Sequence, residues 1–123
     1  MSAEHRSSIL VVDDEEVIRE FLSEVLEEHE VTLASDGDEA IEILKKRRFD
    51  LVITDLRMPK TPGEEVVKAA QEMTPDAKVI VISGYSSLYT ASRSAASGAC
   101  AFLSKPFSIK ELIQAVDAAL GEG

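Results

Sequence analysis

Ile9-Leu10-Val11-Val12-Asp13-Asp14-Glu15-Glu16-Val17-Ile18-Arg19-Glu20-Phe21-Leu22 changes its period halfway along. The first four residues are a continuous apolar run, rich in β-branched side chains and too short for a helix. That reads as a strand buried on both faces. After the four acids, Val17/Ile18, Phe21/Leu22 and Val25/Leu26 recur at helical spacing, which lays one apolar stripe along a helix of about 13 residues.

The same strand-then-helix unit returns along the chain. Leu51-Val52-Ile53, Val79-Ile80-Val81-Ile82 and Cys100-Ala101-Phe102-Leu103 are further apolar runs, and Val31-Thr32-Leu33-Ala34 alternates as an edge strand does. Ala40/Ile41 with Leu44, then Val66/Val67 with Ala70, mark two more helices. Residues 86–97, mostly Ser and Ala with Leu88 and Tyr89, make a poorer fourth one. The last helix has the best start signal: Ser108 with Glu111 forms a capping box, and Phe107 and Leu112 stand where a hydrophobic staple would close it. It runs through Ile113, Val116 and Leu120 and stops at Gly121. Continuous apolar strands alternating with helices predict a doubly wound α/β domain, with a parallel sheet, helices on both faces and right-handed crossovers. In such a sheet ligand chemistry belongs at the C-terminal ends of the strands.

Composition sets the outer limits. The chain has 123 residues, 45% hydrophobic and 29% charged, which suits one globular domain. With 13 Lys and Arg against 23 Asp and Glu, the net charge of −10 argues against binding nucleic acid or an anionic membrane. One cysteine, Cys100, excludes an internal disulfide and a cysteine zinc cluster. There is no run of membrane-span length and no signal-peptide core in residues 1–8. The expectation is a soluble, cytoplasmic acidic domain.

The strand ends concentrate the chemistry. The first strand ends in Asp13-Asp14, the third in Asp55, the fourth in Ser83-Gly84 and the fifth in Ser104-Lys105-Pro106. Asp14 could simply cap the first helix, and Glu15 and Glu16 suit its dipole. Asp55 resists that reading, since it directly follows Leu51-Val52-Ile53-Thr54 and enters a proline-containing loop. Three close carboxylates repel one another unless cations offset them. Lys105 supplies one charge, and a hard divalent ion such as Mg²⁺ would supply two more through oxygen ligands. His5 in the tail and His29 after the first helix both read as solvent-facing, so zinc is not expected.

With these residues in place the chain resembles a response regulator receiver domain. The resemblance rests on Asp13-Asp14, on DLVITDLRMP from Asp50 to Pro59, on Ser83 and on Lys105-Pro106-Phe107. It covers residues 8–120, with residues 1–7 as an N-terminal tail. It implies a flavodoxin-like (βα)5 fold with strand order 2-1-3-4-5, like that of chemotaxis response regulators. The function it implies is phosphorylation of Asp55 by a sensor histidine kinase or phosphotransfer protein, with Mg²⁺ required. On this resemblance Asp14, Asp55 and the backbone carbonyl of Arg57 bind the metal, and Asp13 helps through water. Ser83 and Lys105 contact the phosphoryl group, Ser83 and Phe102 form the switch, and Arg57 and Tyr85 gate the attacking water. The resemblance also implies that the Lys105–Pro106 bond is cis. The face made by the fourth helix, fifth strand and fifth helix serves partner binding or homodimerisation.

Two departures from the common family pattern stand out. Ser83-Gly84 replaces the commoner Thr-Ala, keeping a hydroxyl and a small neighbour, and Pro62 adds a second proline to the loop after Asp55. Elsewhere, Lys45-Lys46-Arg47-Arg48 complements a helix C-terminus, Cys100 reads as a small buried filler in a strand, and Met58 as packing. The fourth helix reads equally as an ordinary poor helix and as an element that shifts on phosphorylation.

Three other functions compete. A flavodoxin-like cofactor binder would need a phosphate-accepting first loop, and four acids stand there. An aspartyl phosphatase would need an acid where Arg57 stands. A degenerate receiver acting as a docking module would lack an acid or the lysine, and none is missing.

Overall fold

The structure is a computed structural model and describes residues 6–58, 60–84 and 98–121. In chain order the elements are β1 (Ser8–Val12), α1 (Glu16–Val25), β2 (Glu30–Ala34), α2 (Gly37–Lys46), β3 (Leu51–Asp55), α3 (Gly63–Met73), β4 (Lys78–Ser83), β5 (Ala101–Ser104) and a C-terminal helix (Ile109–Leu120). All strands are parallel, in the order β2-β1-β3-β4-β5. This is the doubly wound sheet the alternating pattern predicts. Tyr85 and the fourth helix expected at residues 86–97 lie outside the described residues, as do His5 and Pro59.

Strand periodicity divides the apolar side chains between two cores. Leu10, Val12, Val52, Val79 and Val81 face α2 and α3, where Ala40, Leu44, Val66, Val67 and Ala70 complete one buried cluster. Their neighbours Ile9, Val11, Leu51, Ile53, Ile80 and Ile82 face α1 and the C-terminal helix, meeting Leu22, Leu26, Leu112 and Val116. Register locks this division, because a slip of one residue would turn every side chain to the other face. Val11 pairs with Ile53 and Ile53 with Ile80.

Local signals set the helix ends. The Ser108–Glu111 capping box forms, with both reciprocal bonds present, and the helix ends at Gly121 in the left-handed region at φ 76°. Phe107 packs on the same core cluster that holds Leu112. Helix α1 is shorter than its stripe suggests, ten residues, because the chain turns at Leu26 towards His29. Lys45 and Lys46 close the last turn of α2. Arg47 leaves the helix, donates to Thr32 Oγ1 at 2.9 Å and lies over the Phe49 ring.

Two expectations are corrected. His29 is not solvent-facing: it is 5% exposed, and its Nδ1 accepts the Ser7 N–H at 3.3 Å. Cys100 is exposed and precedes β5 rather than lying in it. Its backbone N–H donates to Val79 O at 2.8 Å, so the main chain already follows β4 while the side chain meets solvent.

Gly63 shows how tightly α3 starts against the end of β3. A Cβ added there would lie 2.7 Å from Leu56 Cα, against backbone that has nowhere to go. Gly63→Ala is therefore expected to destabilise the chain by about 2–3 kcal/mol, as overpacking does. A urea midpoint equal to that of the wild type would contradict this packing.

Candidate functional site

The site lies at the C-terminal edge of the sheet and is built from three strand ends. Asp13 follows β1 directly; its N–H donates to Ala34 O at 3.2 Å, which carries the β1–β2 pairing one residue further. The chain then turns sharply. Asp13 Oδ1 accepts the Glu15 N–H at 2.8 Å, and the Asp13 carbonyl accepts from Arg19 Nη1 at 2.8 Å. This turn leaves Asp13 0% exposed, and Asp14 and Glu15 exposed. Glu15 is the N-cap residue of α1 but makes no side-chain capping bond. Its carboxylate reaches across the site instead.

Asp55 is the last residue of β3 and is buried beside Ile82 of β4. Its Oδ1 accepts the Arg57 N–H at 2.9 Å, which fixes the carboxylate against the start of the following loop. Lys105 comes from the far side, just after β5. Its N–H donates to Ser83 O at 2.8 Å, and the Lys105–Pro106 peptide is cis. The ammonium then donates to Asp55 Oδ2 at 2.7 Å, Glu15 Oε1 at 3.0 Å and Asp13 Oδ2 at 3.1 Å. One cation thus bridges three carboxylates whose oxygens lie within 4.8 Å of one another.

Burial and charge oppose each other here. Burial pushes the Asp13 carboxyl above its ordinary value, although the Glu15 N–H and Lys105 pull it down. Burial alone would lower Lys105, but its bonds to Asp55, Glu15 and Asp13 outweigh that and hold it above the ordinary lysine value. Lys105 is therefore a firmly charged ammonium. Three carboxylates still exceed it by two charges when all are ionised.

The donor set fits a hard divalent cation. It consists only of oxygens, the carboxylates converge, and the surplus negative charge matches such an ion. Among the described residues the converging carboxylates are Asp13, Glu15 and Asp55, whereas Asp14 stands exposed outside that group. Glu15 is the member that sequence reasoning missed. Its signal was present, an acid two places after Asp13, but it read as a helix-dipole residue.

The remaining expected residues lie on β4, on β5 and on the loop after β3. Ser83 is buried at the end of β4 and pairs in register with Ser104. Phe102 is half-buried on β5, opposite Val81, and packs on the cluster that faces α2 and α3. Arg57 is exposed on the loop after Asp55, and Met58 packs on that same cluster.

Comparisons with known proteins converge on one family. The sequence model described as "Response regulator receiver domain" matches residues 9–117. The chain is 35% identical over 116 residues to the DNA-binding transcriptional regulator NtrC of Azospirillum brasilense, covering 93% of this chain and 24% of that protein. It therefore spans about a quarter of that relative's length. Among solved structures, it is similar to the CheY-like response regulator receiver domain protein of Methanospirillum hungatei. That likeness has a TM-score of 0.89 and 29% identity, and covers 95% of each chain. It is also similar to a response regulator protein of Burkholderia pseudomallei described with a phosphorylated aspartic acid, a calcium ion and citrate. Here the TM-score is 0.84 and the identity 29%, over 94% of this chain and 69% of that one.

Proposed function

The chain belongs to the response regulator receiver domain family, and from that premise we propose that it is switched by phosphorylation of Asp55. Receiver domains are signalling modules of two-component systems rather than conventional enzymes, and they interact with histidine kinases or phosphotransfer proteins. The observation that carries the proposal is the 2.7 Å bond from Lys105 to Asp55, beside the buried Asp13. The phosphorylated aspartic acid and calcium ion described for the Burkholderia pseudomallei protein support the same chemistry.

In the proposed reaction a carboxylate oxygen of Asp55 attacks the phosphorus of a phosphohistidine or a small phosphodonor. A P–O bond forms to Asp55. The bond to the donor nitrogen or oxygen breaks, and its electron pair leaves with the donor. Lys105 holds and orients the Asp55 carboxylate beforehand, then pairs with an oxygen of the transferred group. The Arg57 N–H keeps the other carboxylate oxygen in place. Asp13, Asp14, Glu15, Asp55 and the Arg57 carbonyl are the proposed ligands of Mg²⁺, Asp13 through water. When bound, the ion supplies positive charge to the phosphoryl oxygens.

The output belongs to the same proposal. The Ser83 hydroxyl moves towards the new phosphoryl oxygens, and Phe102 changes rotamer into the space released. The remodelled face includes β5 and the C-terminal helix and would meet a partner or a second copy. Gating of hydrolytic water by Arg57 and Tyr85 belongs to the same proposal, Tyr85 lying outside the described residues. Among the described residues no helix is long and apolar enough to cross a membrane; a cytoplasmic setting is part of the proposal. Incubation with acetyl phosphate and Mg²⁺ is expected to add the mass of one phosphoryl group, located on Asp55 by peptide mapping. An unchanged mass would overturn the reading.

A further inference from the structure

Arg19 is a cation that the phosphoryl chemistry above does not use. It is the fourth residue of α1, near the end where the helix dipole disfavours positive charge. Spacing alone would pair it with Glu15, four residues back on the same helix face. The Glu15 carboxylate goes to Lys105 instead, at 3.0 Å, and Arg19 Nη1 reaches back past the start of the helix to donate to the Asp13 carbonyl at 2.8 Å. A guanidinium directed at a main-chain oxygen, with a carboxylate four residues away, fixes a backbone rather than balancing a charge.

That carbonyl lies where the chain turns into the site. The Asp13 carboxylate points inwards and is buried, Oδ1 accepting the Glu15 N–H at 2.8 Å and Oδ2 accepting from Lys105 at 3.1 Å. The carbonyl belongs to the planar peptide that leads into Asp14, so its direction sets how Asp14 and the Glu15 N–H face. Before the turn, the chain is anchored by the Asp13 N–H on Ala34 O at 3.2 Å. After it, Glu15 O accepts the Ile18 and Arg19 N–H groups, both at 3.1 Å. Between those anchors, among the described residues, the Arg19 guanidinium is the donor that holds the Asp13 carbonyl.

We propose that Arg19 is a positioning residue: by holding the Asp13 carbonyl it fixes the turn over residues 13–15 in the form that brings the Asp13 and Glu15 carboxylates to the cation site. This rests on the proposed phosphoryl chemistry for its purpose, but not for its measurement. Arg19 and Lys105 differ in what they touch. Lys105 bonds the carboxylates themselves and so competes with a divalent cation. Arg19 bonds a carbonyl and can stay in place when the cation binds. Removing each should therefore shift Mg²⁺ affinity in opposite directions. Groups that orient a ligand from behind are worth roughly 10–100-fold in metal affinity.

The test is a Mg²⁺ titration of the full chain followed by NMR, without phosphodonor, for wild type, Arg19→Met and Arg19→Lys. Arg19→Met keeps an unbranched stem and removes the donor; it is expected to bind Mg²⁺ about tenfold more weakly. Arg19→Lys offers a donor on a slightly shorter chain and should recover to within about threefold of the wild type. With acetyl phosphate, the loss in Arg19→Met should fall on the Mg²⁺ requirement, the maximal rate returning to within about twofold at saturating Mg²⁺. Urea midpoints of the metal-free proteins, measured alongside, report any general loss of stability, which by itself leaves the Mg²⁺ affinity of the folded state unchanged. Arg19→Gln, whose amide falls short of the carbonyl, makes the same measurement should Arg19→Met fold poorly.

Wild-type Mg²⁺ affinity in the variant that lacks the donor overturns the positioning role, whatever its urea midpoint. Tighter binding overturns it too, since Arg19 would then act as a competing charge. So does an Arg19→Lys variant as weak as Arg19→Met, because a donor at that position would then make no difference. A wild-type chain that binds Mg²⁺ but takes no phosphoryl group overturns the phosphorylation reading and leaves the assignment of Arg19 standing. A wild-type chain that binds no Mg²⁺ removes both.

Discussion

Asp55→Asn is expected to leave the chain folded and to abolish phosphoryl transfer. Asparagine retains an oxygen that can accept the Arg57 N–H, now at 2.9 Å, and occupies the same buried volume at the end of β3. It lacks the second carboxylate oxygen and the charge, so the 2.7 Å bond to Lys105 is lost together with the nucleophile. Asp13 and Glu15 lie close by, but Asp13 is fully buried and engaged with the Glu15 N–H, and Glu15 stands at the solvent edge. Asp13 is held much as Asp55 is, Oδ1 by the Glu15 N–H and Oδ2 by the ammonium at 3.1 Å, but its side chain is 0% exposed against 6% for Asp55, which leaves Asp55 the more accessible carboxylate. Intact mass after acetyl phosphate and Mg²⁺ should therefore show no added phosphoryl group. The stabilisation that Mg²⁺ gives by binding the folded state should shrink as well, because one of the proposed carboxylate ligands is gone. A wild-type mass gain in Asp55→Asn would move the acceptor elsewhere, and Asp13 would be the first position to examine.

The contrast between Asp13, Asp14 and Glu15 shows where sequence reasoning stops. Strand periodicity is a property of neighbouring residues, so the runs Ile9–Val12 and Leu51–Ile53 could be assigned, and with them the edge at which Asp13 and Asp55 emerge. Which of three consecutive acids turns inwards depends on a single tight turn. Here Asp13 Oδ1 accepts the Glu15 N–H, and the carboxylate of Glu15 returns to Lys105. No composition or spacing rule distinguishes that turn from one in which Asp14 caps the helix. His29 failed for a different reason. Its burial follows from an N–H donated by Ser7, a contact between segments 22 residues apart that only the assembled sheet brings together. The contact of the loop after Asp55 with α2 is equally non-local, since a hydrogen bond joins Thr61 to Asp38 across 23 residues. The end of the last helix was legible because everything that sets it is local: Ser108, Glu111 and Gly121 all act within a turn of their own positions.

Lys105→Met should produce two effects of opposite sign on the same carboxylates. Methionine keeps much of the apolar stem, so the packing of the half-buried side chain, 17% exposed, is largely preserved. What disappears is the ammonium that touches Asp55, Glu15 and Asp13 together. Glu15 is mostly exposed, and its pairing counts for little. Asp13 is fully buried, and a buried carboxylate stripped of its partner is costly. Without metal the variant is expected to lose about 3 kcal/mol, read as a lower urea midpoint. The same loss removes the cation that competes with Mg²⁺ for these oxygens. Mg²⁺ should therefore bind the variant more tightly and raise its midpoint by more than it raises the wild type's, narrowing the gap between them. Phosphoryl transfer should nevertheless slow by roughly 10²–10³ at saturating Mg²⁺, because the developing charge loses a fixed donor aimed at it. Tighter metal binding together with slower transfer is the signature of a lysine that serves both as counter-charge at rest and as a stabiliser of the transferred group. Should Lys105→Met match the wild type in metal-free stability and in its response to Mg²⁺, the ammonium is not what balances the cluster. The three bonds it makes would then be a consequence of the fold rather than a cause of its stability.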